Sequence, residues 1–287
     1  MLRDQPPSAM SGAAGAVLLL AELEKIIPGF EKAGVDYVVL KGAALIACGL
    51  RNPAERGLTD IDILVRPSQV SSARAVLSGM GFLPMPDSSS AFMKESGSGG
   101  ELLVPVIADL HHWLDYRSDC GPVFDSSRKV RFGSSFLRVP ASEEHVLLIC
   151  AHGILHHACL PPAALEDVHA LCRADGFSWD VLASVAKEAG AESILSEAFR
   201  EFSRRGLSVP ASFSESIRPA GALAVAREWF FRAGCGVSPA GVLVEYLLPQ
   251  VCSPRNIIRY WSGGGLFGKP ARVMRNVFCR MLRRKGI

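Results

Sequence analysis

Residues 35–65 read VDYVVLKGAALIACGLRNPAERGLTDIDILV, and this stretch decides the fold. Its apolar, β-branched run at 36–41 predicts a buried strand, and a short helix is expected directly after it. An arginine-bearing loop then leads to a second strand that carries Asp60 and Asp62. Because successive residues of a strand point to opposite faces, both carboxylates are expected on one face and the neighbouring isoleucines on the other.

The two aspartates predict a cation. Adjacent carboxylates repel each other, and a buried carboxylate without a counter-charge is costly. Aspartate is also disfavoured in strands, so Asp60 and Asp62 need an explanation inside an otherwise apolar segment. Mg²⁺ fits best, because it is commonly held by one or two carboxylates together with the phosphates of a substrate. We therefore predict one or two Mg²⁺ ions, with Mn²⁺ as an alternative ion; two solvent-facing aspartates are the competing interpretation.

A third acidic position follows in ELLVPVIADLHHW, residues 101–113. Alternation places Asp109 and His111 on one face of a strand. If this strand lies beside the first aspartate strand, Asp109 completes a three-carboxylate site as a metal ligand and as the base for an attacking hydroxyl. His111 is an accessory candidate, although a histidine at a strand end is more often structural. Pro105 predicts an edge position or a bulge.

These motifs together resemble one family. The strand ending in Leu-Lys-Gly, the helix, the arginine loop and the Asp-Ile-Asp strand are similar to the bacterial uncharacterised nucleotidyltransferases of the DNA-polymerase-beta-like superfamily. The segments ADLHHW, LLICAHGILHH and LEDVHAL extend the resemblance to roughly residues 35–198. The resemblance implies an α+β fold, in which a nucleotidyltransferase-type mixed sheet with flanking helices precedes an all-α C-terminal domain.

The resemblance also implies an activity. It indicates Mg²⁺-dependent transfer of a nucleoside monophosphate from an NTP, by default ATP, to a hydroxyl or phosphate acceptor. A small molecule, a modified peptide or a protein is the expected acceptor, and no nucleic-acid template is expected. The catalytic and metal-binding residues implied are Asp60, Asp62 and Asp109. Those implied for nucleotide phosphate are Lys41, Gly42, Ala43 and Arg56.

Three details of the resemblance leave alternatives open. Many members of the superfamily have Gly-Ser where this chain has Gly42-Ala43, so Lys41 is expected to supply the missing contact. Arg56 is expected to clamp phosphate oxygens, or else to form an ion pair with Glu55 or with a partner elsewhere. His152 and Asp167 occupy family-like positions on two helices, are accessory candidates, and are expected to contact each other.

Two further classes of function compete with the enzyme. The absent serine is compatible with a catalytically silent nucleotide-binding or interaction module of the same fold. An antitoxin-like nucleotidyltransferase that modifies a partner protein is the other alternative. Retention of all three acidic positions favours the enzyme.

The composition restricts the setting in which the protein is expected to occur, but it does not indicate an activity. The chain has 287 residues, a net charge of +3 and eight scattered cysteines with no Cys-x-x-Cys pair, which predicts a reducing, cytoplasmic setting. The last 35 residues hold nine basic side chains and no acidic one, so the rest of the chain is net −6. This basic tail suits an acidic partner or a membrane surface, or is simply solvated. Residues 117–136 are expected to form a loop. The predicted divisions are a disordered N-terminus at 1–12, the α/β domain at 13–138, a helical domain at 139–252 and the tail at 253–287.

Overall fold

The computed structural model describes residues 12–86, 88–96, 104–114, 116–117, 119–157 and 160–218. Except for Gly12, the predicted disordered N-terminus lies outside these residues. The basic tail and the end of the predicted helical domain, from residue 219 onward, also lie outside them.

A five-stranded mixed sheet forms the centre of the first part of the chain. Its strands follow the order β1-β2-β5-β4-β3, and all neighbours are antiparallel except β2 and β5, which are parallel. The strands are β1 (Tyr37–Val39), β2 (Ile61–Val65), β3 (Leu83–Pro84), β4 (Ala91–Ser96) and β5 (Val104–His111). The mixed sheet with flanking helices confirms the predicted α+β class.

Short helices connect the strands, and a long one packs against the sheet. They are α1 (Ala13–Lys32), α2 (Lys41–Ala47), α3 (Pro53–Arg56) and α4 (Val70–Gly79), the last preceded by a 3-10 turn at Pro67–Gln69. Helix α1 buries a stripe with helical spacing that includes Leu19, Leu23 and Ile26. At Gly29 a side chain would meet Val76 at 3.0 Å, so glycine allows α1 and α4 to approach closely.

Strand β5 occupies the middle of the sheet, but its first residues, among them Pro105, have the edge position that the sequence predicted for this proline. Its pairing with β2 involves only Ala108 to His111, and Pro105 pairs with Glu95 on β4. At Pro105 the strand therefore has one neighbour instead of two. A residue without an N–H group is tolerated there, as it is on an edge strand.

The prediction of a loop at 117–136 is wrong, because this segment contains helix α5 (Gly121–Ser126) and most of a β-hairpin. The hairpin pairs β6 (Arg128–Phe132) with β7 (Ser135–Val139), and Gly133 turns it with a φ of +54°. Leu137 and Val139 are fully buried. The alternation in RKVRF and SFLRV was the sequence signal for these strands.

Helices make up the described chain after the hairpin. They are α6 (Ser142–His157), α7 (Pro162–Cys172), α8 (Trp179–Ala189), α9 (Glu192–Arg204) and α10 (Ala211–Ser216). The described chain divides into two compact units, one within 12–149 and 162–178, the other within 150–161 and 179–218. In the second unit, the Trp179 ring lies 4.8 Å from Phe213 and 5.5 Å from Phe199. Among the described helices, none is long and apolar enough to cross a membrane.

Glu22 is a buried carboxylate on α1 that is held by two lysines. Its oxygens lie 2.7 Å from Lys25 Nζ and 3.1 Å from Lys94 Nζ on β4. Burial raises the pKa of Glu22, but the hydrogen bonds from both lysines outweigh burial and bring it below the ordinary value of 4.5. The ion pairs therefore tie the helix to the sheet.

We expect Glu22→Gln to lower the free energy of unfolding by about 1 to 3 kcal/mol at pH 7, because the two lysines lose the negative charge between them and one of them loses its acceptor oxygen. Since the folded pKa lies below the unfolded one, the contribution is present above about pH 4.5 and is lost as the pH falls further. Urea unfolding of both proteins at pH 7 and pH 4 measures this. Glu24→Gln is the control, because the hydrogen bonds that Glu24, on the same helix, accepts within the described residues come from Ser134 at the surface. An equal loss in both variants would contradict the role of the lysines.

Candidate functional site

The parallel pairing of β2 and β5 brings two of the predicted carboxylates together. In the register of these strands, Asp62 lies directly opposite Asp109. Residues opposite each other in neighbouring strands point to the same face, so both side chains reach one surface of the sheet. The predicted neighbourhood of Asp62 and Asp109 is therefore confirmed, whereas their roles as metal ligands stay predictions.

Asp62 is a buried carboxylate with a lysine and a histidine on one oxygen. Its Oδ1 atom lies 2.7 Å from Lys41 Nζ and 2.8 Å from His111 Nε2, and the residue is 4% exposed. Burial would raise the pKa of Asp62, but the hydrogen bond with His111 and the charge of Lys41 outweigh it and hold this pKa well below its usual range. Burial would lower the pKa of His111, yet the hydrogen bond with Asp62 raises it overall. Asp62 is therefore ionised near neutral pH.

Asp109 completes a compact group of ligand atoms. Its Oδ2 atom lies 3.5 Å from His111 Nε2, and its Oδ1 atom is buried without a hydrogen-bond partner among the described residues. One ligand atom each from Asp62, Asp109 and His111 lies within 4.8 Å of the other two. Two carboxylate oxygens, an imidazole nitrogen and an orphaned buried oxygen are a donor set that fits a divalent cation.

Asp60 lies at the approach to this group but outside it. It immediately precedes β2 and accepts a hydrogen bond of 2.9 Å from the Thr59 hydroxyl. Burial raises the pKa of Asp60, and the negative charge of Asp62 raises it further. Of the three predicted carboxylates, the structure thus groups two with His111 and leaves the third beside them.

Lys41 has an unusual backbone conformation at the junction between β1 and α2. Its φ is +51°, the left-handed region, which costs an L-residue roughly 1 to 2 kcal/mol. The junction is fixed from β2, because the Leu40 N–H donates to the Asp62 carbonyl at 2.9 Å and Lys41 Nζ binds the Asp62 side chain. The predicted phosphate ligand Lys41 therefore binds Asp62 in this structure, and Ala43 is buried.

His145 is a site residue that the sequence analysis missed. It lies in the first turn of α6, is 2% exposed, and its ring forms a hydrogen bond with the backbone of Lys41. Burial and the nearby Arg128 lower its pKa to about 3, so the imidazole is neutral. The sequence around His145 gives no signal for such a partner, because the contact joins residues about a hundred positions apart.

Arg56 forms an ion pair, which was the competing interpretation of this residue. Its Nε atom lies 3.0 Å and 2.9 Å from the two carboxylate oxygens of Asp167 on α7. Arg51, which the sequence analysis did not select, donates to the same carboxylate at 2.9 Å. The expected contact between Asp167 and His152 stays a prediction, and His152 lies in the other compact unit.

Comparison with known proteins identifies a family. The family model described as "uncharacterised nucleotidyltransferase" matches residues 9–203, which is more than half of the chain. Among curated proteins, no sequence matches this chain.

Three solved structures resemble the chain distantly. A solution structure of the antibiotic-resistance factor ANT(2'')-Ia has 16% identity and a TM-score of 0.41, over 66% of this chain and 95% of that one. A crystal structure of ANT(2'')-Ia with adenylyl-2''-tobramycin has 15% identity and a TM-score of 0.40, over 66% and 99%. An antigenic nucleotidyltransferase-like protein from Paracoccidioides brasiliensis has 11% identity and a TM-score of 0.43, over 70% and 91%. At this distance the three structures say nothing about what this chain binds.

Gly42 is a position where a side chain does not fit. An added Cβ would lie 2.6 Å from Leu58 Cδ2 and 3.4 Å from Arg56 Cζ and Nη2. Because Leu58 is itself buried, we expect Gly42→Ala to lower the free energy of unfolding by about 1 to 3 kcal/mol. Thermal or urea unfolding measures the loss. Gly79→Ala is the control, since nothing lies within 4 Å of its Cβ and alanine favours a helix. Equal stability of Gly42→Ala and wild type would contradict the close approach.

Proposed function

The chain belongs to the uncharacterised nucleotidyltransferase family, and from this membership we propose that it moves a nucleoside monophosphate from an NTP to a hydroxyl or phosphate acceptor with a divalent cation. The family makes the protein a nucleotidyltransferase; the ion, the donor and the acceptor are the proposed part. The observation that carries the proposal is the group formed by Asp62, Asp109 and His111 on one face of the sheet.

In this proposal Asp62, Asp109 and His111 hold the cation, and Asp60 lies beside them as a further carboxylate. Mg²⁺ is the proposed ion because carboxylates dominate the donor set. Mn²⁺ is the alternative, since it accepts an imidazole nitrogen more readily than Mg²⁺ does. When bound, the cation supplies Lewis-acid stabilisation of the charge that develops on the phosphate oxygens.

Asp109 is the proposed base. Its side chain is 25% exposed, so the carboxylate is able to accept the proton of an acceptor hydroxyl. The hydroxyl oxygen then forms a bond to the α-phosphorus of the NTP while the bond to the bridging oxygen breaks, and pyrophosphate leaves. Lys41, which precedes Gly42, and Arg56, which lies against Gly42, are the proposed ligands of the donor phosphates.

ATP is the proposed donor by default, and the acceptor is a small molecule, a modified peptide or a protein. This part follows from the family resemblance of the sequence. The same resemblance favours a reaction without a nucleic-acid template.

The donor site is tested by isothermal titration of ATP, GTP, CTP and UTP in the presence of Mg²⁺. We expect the wild-type protein to bind at least one NTP only when Mg²⁺ is present, and the Asp60→Ala/Asp62→Ala variant to lose this binding, because the variant lacks Asp62, a proposed ligand of the ion, and the neighbouring carboxylate Asp60.

Asp36→Ala is the matched control for that titration. Asp36 is a half-exposed aspartate that pairs with Arg66 at 2.7 Å and belongs to no metal group. No binding of any NTP by the wild-type protein would contradict the donor site. Metal-independent binding that survives in the double variant would instead favour the silent binding module.

The place of His111 in the metal group is tested with Mn²⁺ alone. We expect His111→Ala to weaken Mn²⁺ binding by about tenfold or more, because the variant loses a ligand or its immediate support. Electron paramagnetic resonance of free Mn²⁺ during a titration measures the affinity without any nucleotide. His169→Ala on α7 is the control. Unchanged Mn²⁺ affinity in His111→Ala would exclude His111 from the group.

A further inference from the structure

Asp167 joins the helical part of the first compact unit to the loop before β2. Its carboxylate is 3% exposed at the side chain and is shared by two arginines, Arg51 and Arg56. These arginines lie 116 and 111 positions earlier in the sequence. The contact is therefore a tertiary one that fixes both guanidinium groups at once.

Two of the three nitrogens of the Arg56 guanidinium form hydrogen bonds within the described chain. Its Nε atom binds both oxygens of Asp167, and its Nη1 atom donates to the Gly57 carbonyl at 3.1 Å. Nη2 has no hydrogen bond among the described residues. It lies against Gly42, 3.4 Å from where a Cβ would stand, which places it beside Lys41 and the start of α2.

The remaining contacts hold Asp167 rather than Arg56. Arg51 Nη1 lies 2.9 Å from Asp167 Oδ1, and Arg51 Nη2 lies 2.6 Å from Glu166 Oε2. Arg51 is 8% exposed at its side chain, whereas Glu166 is 61% exposed. A carboxylate that is held in place by a second, buried arginine has little freedom to follow Arg56 if the latter moves.

We propose that Asp167 is a positioning residue, which holds the Arg56 guanidinium against Gly42 so that Nη2 faces the triphosphate of the donor nucleotide. The inference rests on the proposed function, because it assigns an anion to the place beside Lys41 and Gly42. It gives α7 a role in nucleotide binding through an ion pair rather than through direct contact. A guanidinium held by a carboxylate on one edge keeps its other edge for a second anion.

Inorganic triphosphate with Mg²⁺ is the probe, measured by isothermal titration on the full chain. We expect Asp167→Asn to weaken binding about tenfold, because the guanidinium loses the charge-assisted bonds that orient it. Glu166→Gln is the matched control, since Glu166 contacts only the Arg51 side of the cluster, and its affinity is expected to equal that of the wild type.

A double-mutant cycle separates positioning from a general effect on the fold. Arg56→Met removes the positioned group, so we expect Arg56→Met/Asp167→Asn to bind no more weakly than Arg56→Met alone. A further tenfold loss in the double variant would overturn the proposal, because Asp167 would then act without Arg56. Should Asp167→Asn fail to fold, Asp167→Glu keeps the charge but lengthens the side chain by one methylene, and the same two comparisons apply.

The outcomes also distinguish this inference from the donor site itself. If the wild-type protein does not bind Mg²⁺-triphosphate, the proposed phosphate site and the positioning role of Asp167 are both overturned. If the wild-type protein binds and Asp167→Asn binds equally well, only the positioning role is overturned, and the proposed function stands.

Discussion

The burial of a single negative charge, that of Asp62, is the constraint around which the site is organised. A carboxylate that is almost fully removed from water is stable as an anion only if charged or hydrogen-bonding side chains replace the lost hydration. Lys41 and His111 do so from two directions, one from the end of β1 and the other from the end of β5. Lys41 has a left-handed backbone conformation, and its Nζ atom binds the Asp62 carboxylate. The geometry of the β1–α2 junction and the ionisation of Asp62 therefore depend on each other.

The same arrangement occurs a second time in the first compact unit. Asp167, like Asp62, is a buried carboxylate with two basic side chains as partners. Lys41 and His111 face Asp62 and Asp109 in the first cluster, and Arg51 and Arg56 face Asp167 and the exposed Glu166 in the second. Each cluster holds one basic side chain next to Gly42: Lys41 is its neighbour in the sequence, and Arg56 Nη2 lies 3.4 Å from where a Cβ of Gly42 would stand. A buried aspartate thus fixes each of these two side chains beside Gly42.

The sequence predicted the parts of the site that depend on period and pairing. Strand alternation placed Asp62 and Asp109 on equivalent faces, and the spacing from Asp109 to His111 put the imidazole on the same face. Alternation could not fix the distances between side-chain atoms, so the sequence did not indicate that Asp62 and Asp109 would lie together with His111 while Asp60 lies beside this group. Whether Asp60 is a metal ligand stays a prediction. The partners of Asp167 and of Lys41 were missed for a different reason. They are contacts between distant segments, which no local pattern encodes. The hairpin of β6 and β7 was missed because residues 117–136 were interpreted as a loop despite their alternation.

Parallel pairing of β2 with β5 also determines when the site comes into existence. Parallel neighbours need a long connection, and here α4, β3 and β4 lie between the two strands. Bringing the two strands together restricts the conformations of the long connection, and this entropic cost arises before the strand pairing stabilises the chain. Such contacts are therefore slow to form. During synthesis from the N-terminus, a nascent chain that ends before β5 already contains Asp60 and Asp62 and the strand β1 that pairs with β2, but it lacks the strand that carries Asp109 and His111. The group of Asp62, Asp109 and His111 is thus a late product of folding in this protein, and the emerging polypeptide carries its first two aspartates without the rest of that group.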